Sequence, residues 1–317
     1  MNIYRNLDKS GYDKNSVVTV GTFDGVHIGH REIIRQINSL KESGNYRSVI
    51  VTFDPHPRLI LRDKHKDIKI LSTTEEKLET FEALGVDAVY ILEFSTEFAA
   101  TSAEEFLKKY LLEGTGLTEL VLGFDHSFGK NREGNYETLS VLSNELGFKL
   151  HKVDELKLGK DRVNSTTIRG LLLSGDAGKA AELLGADYSF TGKVVPGDRR
   201  GSTIGFPTAN VAPSDAFKLI PKNGVYAVTF SVNGEKYSRT FSGMMNIGRR
   251  PTISDNNEVC MEVNVFDFTG DIYGRQVKIG FLHYIREEKK FASLEELVLQ
   301  LNKDKDYCIN FLNKTNI

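Results

Sequence analysis

Cysteine is almost absent, with only Cys260 and Cys308 in a chain of 317 residues. Neither has metal-ligand spacing or a neighbouring motif, and a disulfide framework uses more of them, so both are read as buried or incidental thiols. Net charge is nearly absent too. With 41 Lys and Arg against 43 Asp and Glu, the formal charge of -2 leaves no electrostatic footprint for a nucleic-acid backbone or an anionic membrane. Any anion must then be met by a local site. No apolar run approaches the length of a membrane span, and the polar stretch 1–16 lacks the apolar core of a leader. The expectation is a cytoplasmic protein without nucleic-acid or membrane partners, its oligomeric state open. Two common phosphate motifs are missing as well. One residue too many separates Gly123 from Gly129-Lys130 for a P-loop, and Asn131 follows the lysine; Gly114-Thr115-Gly116 has Glu119 where a dinucleotide fingerprint needs its third glycine.

What is present is a globular balance. Hydrophobic residues at 40% and charged residues at 26% suit a self-sufficient fold, and 317 residues exceed what one core usually organises, so two domains are expected. Up to residue 153, β-branched runs at Ser16–Thr22, Ser48–Phe53, Asp87–Leu92, Glu119–Gly123 and Phe148–Val153 alternate with amphipathic stretches at His30–Ser43, Thr74–Leu84, Ser102–Leu112 and Asn135–Leu146. This alternation predicts a Rossmann-like α/β domain with a parallel sheet. Ser102-Ala103-Glu104-Glu105 reads as a capping box. Two short helices, Thr166–Leu173 and Ala177–Leu184, end at Gly185. Beyond residue 188 the period becomes two, predicting a small antiparallel β-barrel. Val225–Val232 and Glu235–Phe241 flank Asn233-Gly234, a pair suited to a two-residue type I′ turn. Strands are also expected at Phe190–Pro196, Val259–Phe268 and Gln276–Ile285, then a closing helix from Leu294 with Leu297, Val298 and Leu301 on one face. The domains are set at 1–186 and 187–317.

One strand-to-helix junction concentrates chemistry. Gly21-Thr22-Phe23-Asp24-Gly25-Val26-His27-Ile28-Gly29-His30 runs from a buried strand through a glycine-rich turn into a helix start, where exposed backbone N–H groups and the helix dipole favour an anion. His27 and His30 are three apart, so both imidazoles share one face and meet one phosphate, stabilising charge during attack on phosphorus. Two further loops follow strands. Phe53-Asp54-Pro55-His56-Pro57 offers His56 either as a phosphate contact or as a brace for a rigid loop. The segment from Gly123 to Gly134 mixes Phe124 and Phe128 with Lys130 and Arg132, which suits a planar anionic substrate. Ser165-Thr166-Thr167-Ile168-Arg169 adds hydroxyls and a cation at another helix start. In the second half, Gly205-Phe206-Pro207-Thr208-Ala209-Asn210 projects Thr208 and Asn210 the same way along an extended segment. They are either oxygen ligands for a hard cation or exposed polar residues of a barrel edge.

These segments resemble the HxGH nucleotidyltransferases and, taken with the second half, the bacterial bifunctional riboflavin kinase/FMN adenylyltransferase family. The resemblance rests on the junction, the Phe53–Pro57 and Phe128–Gly134 segments, Ser165–Arg169, Gly192–Gly201, Gly205–Asn210, Asn246–Thr252, Glu262–Asp267 and Ile285–Phe291. It implies riboflavin, FMN and ATP as substrates, with ATP and Mg²⁺ used in both halves. For the adenylyltransferase it implies ATP at Gly21, Phe23, Asp24, His27, His30, Ser165, Thr166 and Arg169, and flavin at Phe53, His56, Asp125, Phe128 and Arg132. For the kinase it implies ATP at Gly197, Gly205, Thr208 and Asn210, magnesium on Thr208 and Asn210, flavin at Asn246 and Arg286, and Glu262 as the base. The chain departs from the family at Ser202, where arginine is usual, and at Asn264, where histidine is usual. Those departures leave open an enzyme with one live activity. A flavin-binding regulator without turnover is the other alternative.

Overall fold

The computed structural model describes residues 1–61, 68–124, 126–197, 200–233, 239–249 and 259–315. The chain divides into two compact units, Met1–Ser165 and Thr166–Ile317.

In the first unit, strands β1 (Asn2–Arg5), β2 (Ser16–Val20), β3 (Arg47–Asp54), β4 (Ala88–Glu93), β5 (Leu117–Leu122) and β6 (Lys149–Lys152) form one sheet in the order β1-β4-β3-β2-β5-β6. Every pairing is parallel. Helices α1 (Ile28–Gly44), α2 (Pro57–Ile60), α3 (Thr74–Ala83), α4 (Ala103–Phe106), α5 (Glu113–Thr115) and α6 (Tyr136–Leu146) connect the strands. The sheet is buried on both faces, as helix crossovers require: Val18 and Val20 enter one core cluster and Val17 the other. Strands β3 and β5 flank β2 on opposite sides, so the connections diverge at β2. Ligand sites in open α/β sheets gather at the carboxyl ends beside such a switch point.

Two sequence expectations change here. Ser102 caps α4 by accepting from the Glu105 N–H, but the full reciprocal capping box lies at Thr73 and Glu76. The helix expected over Ser102–Leu112 becomes π-helical at Leu107–Leu112. Strand β1 was not expected, because its short sequence NIYR is mostly exposed and carries no buried run.

A minor ribbon, β7 (Lys157–Leu158) with β8 (Asp161–Arg162), precedes α7 (Ser165–Ser174), whose first residue closes the first unit. The second unit continues with α8 (Ala177–Leu184), β9 (Tyr188–Val195), α9 (Arg200–Thr203), β10 (Ala209–Pro213), β11 (Gly224–Val232), β12 (Thr240–Arg249), β13 (Val259–Val265), β14 (Gln276–Arg286) and α10 (Leu294–Thr315). Six strands close an antiparallel barrel in the order β10-β13-β12-β11-β14-β9, which leaves no open sheet edge. Val298 and Leu301 of α10 pack against a cluster that includes Phe206, Met244, Leu282 and Cys308. Strands β11 and β12 pair antiparallel, with Ser231 opposite Thr240. Residues 234–238 of that expected hairpin lie outside the described residues.

Candidate active sites

The junction after β2 needs three left-handed residues in four positions: Phe23 at φ 49°, Gly25 at 86° and Val26 at 38°. Glycine adopts this freely; Phe23 and Val26 are held in it by burial, at 1% and 3% exposed. Phe23 packs against the His30 ring at 5.0 Å and the Phe81 ring at 5.5 Å. His27 is the N-cap of α1, its Nδ1 accepting the His30 backbone N–H at 3.3 Å. With Nδ1 used as an acceptor, a neutral His27 carries its ring proton on Nε2. The two imidazoles stack at 3.6 Å with 14° between planes, so they do share one face. Burial, then the nearby His27, His126 and Lys77, push the His30 pKa well below 6.5, and its ring is neutral at pH 7. Its Nδ1 is sealed from solvent and has no hydrogen-bond partner among the described residues.

Asp24, for which the resemblance implies an ATP contact, also builds the loop beside this turn. At 1% exposed, it accepts the backbone N–H groups of Leu71 at 2.7 Å and Ser72 at 3.1 Å, pinning the chain that enters α3. Its carbonyl accepts the Ser165 hydroxyl at 3.0 Å, drawing Ser165 to the junction.

Beside the histidines lies a cavity of about 860 Å³, within the range that takes a nucleotide or flavin portion. Among the expected residues, Gly21, Phe23, His27, His30, Phe53, Phe128, Arg132 and Ser165 line it. One wall is aromatic: Phe53 meets Phe94 at 5.7 Å and Phe98 at 5.8 Å, and Phe106 meets Phe128 at 5.0 Å. Arg58, Lys130 and Arg162 add cations to the lining. His56 caps α2, its Nδ1 accepting the Arg58 N–H at 3.1 Å, a contact that braces the loop. Asp125 lies outside the described residues. Thr166, exposed, and Arg169, half-buried, belong to the second unit. Arg58, Arg162 and the Phe94–Phe98 pair escaped the sequence reading; the aromatics in the segment after β4 were the available signal.

In the barrel, strand register assembles the second site. Asn210 pairs with Glu262 across β10 and β13, and Glu262 pairs with Asn246 across β13 and β12, so three expected residues form one cross-strand row. Gly197 lies where a Cβ would collide with the Asn210 amide, and a Cβ at Gly201 would meet the Phe206 carbonyl and approach the Thr208 hydroxyl. Gly205 turns the chain at φ 80°. Asn264, 7% exposed, donates to the Pro207 carbonyl at 2.7 Å and anchors the segment leading to Thr208. The side chain of Ser202 lies outside the described residues. Arg286 is engaged by Asp304 of α10, with Nη2 to Oδ2 at 2.6 Å and Nε at 3.0 Å from both carboxylate oxygens, which ties the end of β14 to the helix. Cys260, read as incidental, places Sγ 3.6 Å from Asn210 Oδ1 and 3.5 Å from Glu262 Oε1. Cys308 is fully buried, which pushes its thiol pKa up to about 12. The hard side-chain oxygens of Thr208 and Asn210 are of the type that suits Mg²⁺, and Gly197 and Gly201 stand against these two side chains without a Cβ. Among the described residues no group of three or more His, Cys, Asp or Glu side chains has an arrangement that could hold a metal ion.

Comparison with known proteins matches the FAD synthetase family over residues 9–167 and the riboflavin kinase family over 184–312. A bifunctional riboflavin kinase/FMN adenylyltransferase from Listeria monocytogenes is 39% identical, covering 95% of this chain and 94% of the relative. One from Bacillus subtilis is 37% identical, covering 94% and 93%. A crystal structure described as a macrolide-efflux protein from Streptococcus pneumoniae superposes with a TM-score of 0.87 at 32% identity, over 98% of this chain and 99% of that one. No helix among the described residues is long and apolar enough to cross a membrane. With both family matches on one chain and relatives of that name 39% and 37% identical over nearly their whole length, this is an enzyme that uses ATP to phosphorylate riboflavin and to adenylylate FMN, and it belongs to the bifunctional riboflavin kinase/FMN adenylyltransferase family.

Proposed function

We propose that the two reactions divide between the two constellations, with a functional boundary near residue 186. In the first, a phosphate oxygen of FMN attacks the α-phosphorus of ATP, and the bond to the β-phosphate oxygen breaks to release pyrophosphate. The FMN phosphate is already anionic, so this step needs no general base. His27 and His30 present ring N–H groups to the oxygens on which charge accumulates, and Ser165 assists them. Phe53 and Phe128 with their aromatic neighbours hold the isoalloxazine, while Arg132 meets charge at the cavity edge. The stacked His27–His30 pair opening onto this cavity is the observation that carries the reading.

In the barrel, Glu262 takes the proton of the riboflavin 5′-hydroxyl as that oxygen attacks the γ-phosphorus and ADP leaves. Gly197 and Gly205 give the phosphates close approach to the backbone, and Asn246 orients the flavin from the neighbouring strand. Thr208 and Asn210 would hold Mg²⁺, which supplies neutralisation of phosphate charge when bound. Arg286, fixed by Asp304, supports the flavin side indirectly. The enzyme works in the cytoplasm. Feeding riboflavin and FMN separately with ATP and Mg²⁺, and separating the products, tests the division; one substrate failing while the other is converted would remove one half of it.

A further inference from the structure

Lys77 is a buried cation that the reading of the transfer site leaves unused. It sits on α3 at 3% exposed, and its Nζ donates to the Thr22 carbonyl at 3.2 Å and to Thr52 Oγ1 at 3.3 Å. Those acceptors stand just past the carboxyl end of β2 and near that of β3, the two strands whose following loops enter the cavity. A lysine this deep is costly unless its charge is answered. Here Asp24, Asp54 and Glu75 answer it, and they offset part of the fall that burial imposes on its pKa. The ammonium in turn bears on His30 from the α3 side, together with His27 on the same helix start and His126 on the loop after β5.

We propose that Lys77 is a positioning residue for adenylyl transfer: its ammonium clamps the Thr22 carbonyl and the Thr52 hydroxyl, fixing the turn that carries His27 and His30, and balances the Asp24 and Asp54 carboxylates behind it. This rests on the reading of the histidine pair as the transfer site. Lys77 touches no reacting atom, so its effect runs through geometry and through the protonation state of His30. A turn fixed by one interior ammonium keeps both imidazoles aimed at one phosphorus, and a displacement of such groups by an ångström lowers the rate by as much as about 100-fold.

The test replaces Lys77 by methionine in the full chain, keeping length and removing the charge. The kcat for FAD formation from FMN is expected to fall by roughly 10-fold or more, with KM for ATP changing less than about 2-fold. The acid limb of the pH–rate profile is expected to move up, because one of the charges that depress His30 is gone. Riboflavin phosphorylation in the same sample supplies the active concentration. An unmoved acid limb with kcat retained overturns the inference. If His30→Ala leaves FAD formation intact, the reading of the site fails; if His30→Ala abolishes it and Lys77→Met does not lower it, only the inference about Lys77 fails. Should Lys77→Met not fold, ¹⁵N-lysine NMR of the unsubstituted chain decides: a charged Lys77 ammonium at neutral pH is expected, and a neutral amine there overturns the inference.

Discussion

Asn210 and Glu262 stand directly opposite one another on the antiparallel strands β10 and β13, so the metal-ligand candidate and the assigned base project from one face of the barrel wall. The proposed proton removal and phosphate neutralisation would thereby sit on neighbouring strands, and the two roles separate experimentally. Glu262→Gln keeps the side-chain shape and removes the base. It should lower FMN formation from riboflavin by about 10²- to 10⁴-fold, while FMN supplied directly still becomes FAD. Chromatographic quantitation of both flavins checks this.

Gly197→Ala examines the same wall from the other side. A Cβ at this position collides with the Asn210 amide and forces it aside. The expected result is a riboflavin kinase with a raised Mg-ATP requirement and a kcat/KM lower by roughly 10-fold, against an unchanged thermal midpoint and unchanged FAD formation from FMN. Initial rates across a magnesium titration measure it.

His30→Ala addresses the other half. If its imidazole stabilises transition-state charge as proposed, this change should lower FAD formation by about 10²- to 10³-fold and leave riboflavin phosphorylation alone. A loss shared equally by both reactions would contradict the division of labour.

Much of this was legible beforehand, for reasons that differ by residue. The parallel sheet showed itself because strands such as β2 are buried at every position, which writes a continuous β-branched run. His27 and His30 announced themselves by spacing on a helix start. The site residues found only in three dimensions leave weaker traces. Lys77 is a lysine in a polar helix, and nothing local distinguishes a side chain reaching through to Thr22 from one reaching into water. Asp24 sits in the motif and its carboxylate accepts from Leu71 and Ser72, contacts across 47 and 48 residues that no local pattern encodes.

Protonation of His30 gives stability a pH signature. The folded pKa lies well below 6.5, so above pH 6.5 the contribution is fully present. As pH falls through 6.5 the unfolded chain takes up a proton that the folded site refuses, and stability is lost progressively down to the depressed folded value. Thermal midpoints of the ligand-free chain should therefore decline on acidification from pH 7, and less steeply in His30→Gln. Binding of ATP phosphates beside the ring favours its charged form, so calorimetry in buffers of different ionisation enthalpy should record proton uptake on ATP binding below pH 6.5.

The most direct measurement incubates the unsubstituted chain, Glu262→Gln and His30→Ala with ATP and Mg²⁺, each with riboflavin and with FMN, and quantifies FMN, FAD, ADP and pyrophosphate. The unsubstituted chain should carry riboflavin to FAD with one ADP and one pyrophosphate released per FAD. Glu262→Gln should make FAD only from supplied FMN, and His30→Ala should stop at FMN. Flavin bound without ATP consumption, or either substitution leaving its own reaction intact, would contradict the placement of the two chemistries.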